Sequence, residues 1–350
     1  MKIGERTSIY AALLGMLLSS GTAHAEGTLN LLTWEGYADP SYVTQFEKET
    51  GCKVNATYVG SNDDFAPKLM AGGGVYDLIT PSLDTTKLMI DLDLVEPIDT
   101  AKIAEWNNIY PNLRALENIR KGDDVYGMPY TWGAIIMMYR TDAFKTPPTS
   151  ISDLWNPELK GKISIWDDKS SIYLAARKNG DMNIYNLSDE QIAAARKALE
   201  EQKPLVRKYW TTAGELVDLY KSGEIVLSNT WAGNMASILK REGIPMTEFI
   251  PKEGAEGWVD IWMMVKGTPN TDCAYKYLNM QLSAVGQCAI SQINTNSVAN
   301  PVAAKTCMTP ERFAELHQDD PTYLDKLMVW QSLGDRYEAY ANAWNAVKAQ

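Results

Sequence analysis

The chain has 350 residues, with 44 acidic side chains against 33 Lys and Arg, a net charge of −11 and only two histidines. That balance argues against nucleic acid or an anionic membrane as partner, because phosphate binding draws on Lys and Arg, and it favours cations near the surface. With His24 in a leader and His317 alone, nucleophile–base catalysis and histidine metal sites have almost nothing to start from. No metal or cofactor is expected.

Lys2 and Arg6 precede a mostly apolar run from Ile9 to Leu18, and Ala23-His24-Ala25 places small residues where signal peptidase needs them. The run is too short to span a bilayer, so residues 1–25 are expected to be a secretory signal cleaved after Ala25. No cysteine stands at the junction, which points to a free periplasmic protein rather than a lipoprotein. What remains is longer than one core usually holds, so two lobes are expected.

Leu29 to Trp34 reads as a strand. Asp39-Pro40 opens a helix whose Tyr42, Val43 and Phe46 share a face, and Gly51 ends it. Val54 to Tyr58 is the next strand, Asp63 to Met70 a helix, Gly72-Gly73-Gly74 a flexible turn and Tyr76 to Thr80 a third strand. Val125 to Pro129 and Ala134 to Tyr139 read as two further strand-like runs. Beyond the break at Pro147-Pro148 come strands at Lys162 to Trp166, Pro204 to Tyr209 and Ile225 to Asn229, with a capping box at Ser188-Asp189-Glu190-Gln191. Trp258 to Val265 is a returning strand, and the rest, from about Thr271, reads as helical. This alternation predicts mainly parallel sheets flanked by helices. It places one lobe at 26–135 plus about 258–305, and the other at 136–257 plus about 306–350.

The four cysteines suit an oxidising compartment. Cys52 opens a strand and is expected to be a buried thiol. Among Cys273, Cys288 and Cys307 at most one bridge is expected, Cys273–Cys307, although spacing does not determine connectivity.

Ligands of open parallel sheets bind beyond the carboxyl ends of the strands. Those ends carry Trp34-Glu35-Gly36-Tyr37, Ser82-Leu83-Asp84, Tyr130-Thr131-Trp132, Trp166-Asp167-Asp168, Trp231 and Trp258-Val259-Asp260. The chain holds 11 Trp and 18 Tyr against 5 Phe, a bias toward aromatics with a polar handle. Core burial explains any single tryptophan equally well, but six strand ends repeating tryptophan with an acid or small polar group favour a binding role. Indole faces with carboxylates suit an ammonium ligand, each cation–π contact contributing about 0.5–2 kcal/mol once desolvated.

Leu32-Thr33-Trp34-Glu35-Gly36-Tyr37, Phe46 to Val54, Tyr76 to Ser82, Met128-Pro129-Tyr130-Thr131-Trp132-Gly133 and Pro251-Lys252-Glu253-Gly254 stand in an order that resembles the spermidine/putrescine-binding proteins of polyamine ABC transporters. The resemblance implies a two-lobed α/β periplasmic-binding-protein fold of type II, with the ligand in the cleft between lobes. It also implies a partner in an inner-membrane ABC permease, no enzymatic activity and a monomer. Carried over by position, Trp34, Tyr37, Ser82, Asp168, Trp231, Trp258, Asp260 and Gln331 match pocket positions. The sequence departs from the pattern at Gly36, Asp84, Ser171, Asn234 and the segment Asn294 to Ser297. Glu35 and Asp84 could supply acids from new positions. The expected ligand is a cationic amine, spermidine or putrescine first, with a monoamine, an opine-like compound, a quaternary ammonium ion or a sugar as alternatives. A ferric-iron site would want histidine. A glycosidase would need a facing carboxylate pair, and Asp63-Asp64 and Asp167-Asp168 are only chain neighbours.

Overall fold

The structure, a computed structural model, describes residues 27–349 apart from 73, 232, 233 and 321 and the side chain of Asn234. The expected signal segment therefore lies outside the described residues, as does Gly73 of the expected turn.

Local chemistry sets the first elements. β1 (Thr28–Thr33) buries Leu29, Leu31 and Leu32. It leads to the helix Pro40–Thr50, where the Asp39 carboxylate accepts from Ser41 N–H at 2.8 Å and proline fills the first turn. Gly51, in the left-handed region at φ 74°, closes that helix by donating to Glu47 O. Tyr42, Val43 and Phe46 form its buried face, as the spacing predicts. The capping box at Ser188 is also formed: its hydroxyl accepts from Gln191 N–H while the Gln191 side chain accepts from Ser188 N–H.

The remaining main strands are β2 (Lys53–Tyr58), β3 (Leu78–Ile79), β4 (Gly127–Arg140), β5 (Ile163–Trp166), β6 (Val206–Trp210), β7 (Leu227–Thr230) and β8 (Glu256–Val265). Their order across the sheet is β2-β1-β3-β8-β4-β7-β5-β6. On one side β2, β1 and β3 are parallel and β8 joins antiparallel. On the other, β6, β5 and β7 are parallel and β4 joins antiparallel. The two parallel triplets form two α/β lobes, and β4 belongs to both. Its residues from Gly127 to Ile135 pair with β8, and those from Ile136 to Tyr139 pair with β7.

The two short runs expected at 125–139 are thus one long strand. Pro129 and Gly133 look like breaks in the sequence. Pro129 instead faces Ile261 beside a register shift in β8, and a side chain at Gly133 would come within 2.5 Å of the Trp258 ring. The C-terminal part is not helical throughout either, since Ser297–Val298 pairs with β4 and Met328–Val329 with β8. Part of the segment expected in the second lobe after residue 306 packs on the first. Tyr110 OH donates to Gln318 O, Ser297 Oγ donates to Leu316 O, and Tyr323 lies 6.1 Å from the Trp132 ring. The last helix, Tyr337–Ala349, lies on the helices of the second lobe, with Tyr340 OH donating to Ile184 O.

The cysteine expectation is corrected. Cys52 is paired with Cys273, and Cys288 with Cys307. The turn before β2 and the helix Thr271–Leu282 meet at the start of β1, where Gly27 lies against Cys273, a proximity no spacing rule reveals. Replacing Cys52 and Cys273 together by alanine is expected to lower unfolding stability by about 2–5 kcal/mol. Chemical denaturation of the variant beside wild type checks this; superimposable transitions would show that the bridge contributes nothing.

Candidate ligand-binding site

A cavity of about 340 Å³ lies between the lobes, walled by residues from strand ends, from within β8 and from two helices. From the first lobe come Trp34, Glu35, Gly36 and Tyr37 after β1, Ser82 after β3, and Trp258 and Asp260 on β8. From the second come Trp166 at the end of β5 and Trp231 after β7. The helices Ala213–Lys221 and Asn234–Arg241 add Val217, Met235 and Ile238. Trp330 closes one side.

The tryptophans hold one another in place. The Trp34 ring lies 6.3 Å from Trp166 and 6.2 Å from Trp231, and Trp166 meets Trp231 edge-on at 5.1 Å. Behind them Trp166 stacks on Trp330 at 6.1 Å and on Trp210 at 5.9 Å. Of the five lining tryptophans, three have their N–H anchored outside the cavity: Trp34 on Thr80 O, Trp166 on Gly60 O, and Trp330 on Glu256; the buried N–H groups of Trp231 and Trp258 have no hydrogen-bond partner among the described residues. Glu256 is in turn held by the buried Arg177 guanidinium at 2.7 Å. Such walls offer a ligand ring faces.

The floor is different. Asp260 is 5 % exposed, and its oxygens accept from Ser82 Oγ at 2.6 Å and Tyr37 OH at 2.5 Å. Tyr37 OH also meets Thr131 Oγ1 at 2.6 Å and accepts from Asn296 at 3.2 Å. Burial pushes the Asp260 pKa up to about 7, opposed by the two hydroxyl hydrogen bonds and reinforced by the negative charge of Asp84. No Lys, Arg or His among the described residues forms an ion pair with it. Such a carboxylate is poised to accept an ammonium group delivered into the cavity.

Behind the floor lies a second acidic group. Asp168 accepts from Ser61 Oγ, Asn62 N–H and Ser170 N–H, and Asn62 in turn accepts from Ser82 N–H. Beside it Lys169 Nζ sits 3.0 Å from Asp84 and 3.5 Å from Asp63. Burial alone would lower the lysine pKa, but Asp84, Asp168 and Asp63 outweigh it and hold the ammonium form. Among the described residues no cluster of His, Cys, Asp and Glu is arranged to hold a metal ion.

Of the residues expected from sequence, Trp34, Glu35, Tyr37, Ser82, Trp231, Trp258 and Asp260 line the cavity. Asp84, Trp132, Asp168, Ser171 and Gln331 do not. Asp84 and Asp168 belong to the cluster behind the floor. Trp132 points toward Val298 and Tyr323, and Ser171 donates to Trp166 O within its own lobe. Gln331 is exposed. The side chain of Asn234 lies outside the described residues. Gly36 lies in the left-handed region at φ 88°, where the acid expected there would be strained, and a Cβ would approach the side-chain oxygen of Asn294 to 2.2 Å. Sequence reading passed over Trp166, Trp330, Asn294 and Asn296 as lining residues, and Lys169 altogether. Trp166 carried the strand-end signal; Trp330 and Lys169 carried none.

Comparison with known proteins agrees with this architecture. The sequence signature of the bacterial extracellular solute-binding proteins matches residues 41–318. The Spermidine/putrescine-binding periplasmic protein of Escherichia coli K12 is 28% identical over 358 residues, covering 100% of this chain and 99% of the relative. The Putrescine-binding periplasmic protein PotF of the same organism is 30% identical over 312 residues, covering 83% and 84%. Among solved structures, the putative spermidine/putrescine ABC transporter from Listeria monocytogenes superposes with a TM-score of 0.81 at 26% identity, covering 92% of this chain and 99% of that one. The neighbours are two-lobed periplasmic binding proteins of type II, the fold seen here.

The raised pKa of Asp260 has a measurable sign. An aspartate at about 7 in the folded state and about 3.9 in the unfolded chain favours folding below pH 4. That contribution is lost as pH rises through 7. The advantage in melting temperature of Asp260→Asn over ligand-free wild type should therefore grow between pH 5 and pH 8. A difference that stays constant with pH would contradict the assignment.

Proposed function

This chain belongs to the bacterial extracellular solute-binding proteins, and on that premise we propose that it captures a small cationic amine in the periplasm and hands it to the permease of an ABC importer. The observation that carries the reading is Asp260: a buried carboxylate, held by two hydroxyls and by no basic side chain, at the floor of a cavity walled with indole rings. An ammonium ion there gains a charge-assisted hydrogen bond from Asp260 and cation–π attraction from the walls.

Spermidine and putrescine are the first candidates, because relatives that align with this chain over most or all of its length bear those names. The cavity is near the small end of the range for ligand sites, about 300–1,000 Å³, which suits a short alkylamine. Sugars also stack on tryptophan, but a buried carboxylate with a pKa near 7 suits a positive charge better than a hydroxyl. Lining from both lobes implies that binding draws them together, with the walls and floor completed only in the closed form. Glu35 and Asp218, both exposed at the mouth, would attract a cation from solution without holding it strongly.

A thermal-shift panel of polyamines, monoamines, amino acids, betaines and sugars is the direct test. A cationic amine at a hundredfold excess over its dissociation constant should add about 2.7 kcal/mol of stability; a response to sugars alone would contradict the proposal. In calorimetry with the best amine, Asp260→Asn should lose at least about 2 kcal/mol of binding free energy. Unchanged affinity would remove Asp260 from the site.

A further inference from the structure

Asp260 has no cation of its own, whereas the acidic cluster directly behind it does. The link between them is short: Ser82 donates its hydroxyl to Asp260 and its N–H to Asn62, whose own N–H donates to Asp168. Asp84 follows Ser82 by two residues. Into this cluster the chain inserts Lys169, which is 0 % exposed. Its Nζ lies 3.0 Å from Asp84, 3.5 Å from Asp63 and 5.2 Å from the centre of the Tyr337 ring. Carboxylates on one side and an aromatic face on another are the surroundings that a bound alkylammonium ligand would require.

We infer that Lys169 is a specificity-determining residue: its ammonium fills, from within the chain, the second buried cation position of the site, so the ligand need present only one ammonium, to Asp260. This rests on the cation-binding reading above and narrows it, from amines of any charge to compounds recognised through a single buried ammonium. A lysine is almost never buried unless paired, and here the partners come from the opposite lobe. Lys169 follows β5 in the second lobe, while Asp63 and Asp84 follow β2 and β3 in the first. The carboxylates are also satisfied from within the protein. Asp84 accepts from Tyr173 and Thr85 in addition to its ion pair with Lys169, and Asp63 accepts from Tyr337 OH and Lys169 N–H. None of these acids faces the cavity. The acids at its mouth are solvated, where a second ammonium gains little.

The test uses matched amines that differ by one ammonium, 1-aminobutane and 1,4-diaminobutane, titrated into the full-length mature protein at pH 8 by calorimetry. In wild type the second ammonium is expected to change affinity by less than about tenfold, the range of an exposed ion pair. In Lys169→Ala the diamine should gain at least about tenfold over the monoamine, because Asp84 is left buried without its partner. Ethylammonium, small enough to occupy the vacated position, should raise the melting temperature of that variant more than that of wild type. A wild-type preference for the diamine of about a hundredfold or more would overturn the inference while leaving the cation reading intact. So would a ratio that Lys169→Ala does not move. Failure of both amines to bind wild type would overturn the cation reading itself, and this inference with it. The wild-type comparison decides the matter even where the variant folds poorly.

Discussion

The structure turns on carboxylates taken out of water, and on which of them the chain neutralises itself. Removing a charge from water costs several kcal/mol unless hydrogen bonds or an opposite charge offset it. Asp84 is offset by Lys169, and Glu256 by Arg177. Asp168 is offset by three hydrogen bonds, two of them from backbone N–H groups. Asp260 has two hydroxyls and no cation, and burial raises its pKa to about 7, as burial also raises those of Asp63, Asp84 and Glu256. The buried acids Asp84, Asp168 and Glu256 are thus paired or hydrogen-bonded from within the chain, whereas Asp260 has no positive charge beside it among the described residues.

The geometry around that acid follows from the fold. β8 and β4 run antiparallel through the middle of the sheet, and β4 changes partners from β8 to β7 where one lobe gives way to the other. Asp260 sits at the register shift in β8, bridged to Ser82 across the sheet. Strand ends from both lobes converge on this point, so a short ligand can touch both at once. The interlobe contacts beside it tie the Asp168–Lys169 segment to the loops after β2 and β3. Ser82 and Asn62 join Asp260 at the cavity floor to these interlobe contacts.

Much of this was legible in the sequence where short-range chemistry governs. Asp39-Pro40 with Gly51, and Ser188 with Gln191, announce their helices because caps act within one turn. Trp34 and Trp231 follow strand ends, the positions that parallel sheets present to ligands, whereas Trp258 and Asp260 reach the cavity from within the antiparallel β8. The misses share a cause, which is that they depend on contacts between distant segments. Lys169, beside a helix start, carries no signal of its own in the sequence; only the folded chain brings Asp84 and Asp63 around it. The continuity of β4 was hidden by Pro129 and Gly133, residues that break most strands but here fit a register shift and an indole ring. The pairing of Cys52 with Cys273 needs the helix Thr271–Leu282 to return to the first strand, more than 200 residues after it leaves.

The central claim is that a ligand ammonium replaces a proton as the partner of Asp260. Counting protons during binding tests it most directly, by calorimetry of the tightest-binding amine at pH 6 in buffers of different ionisation enthalpy. With Asp260 at about 7 in the free protein, most molecules carry that proton at pH 6 and must lose it to take up the cation. The account predicts release of close to one proton per ligand bound, a release absent in Asp260→Asn. Binding with no net proton exchange, or with the same exchange in the variant, would contradict it.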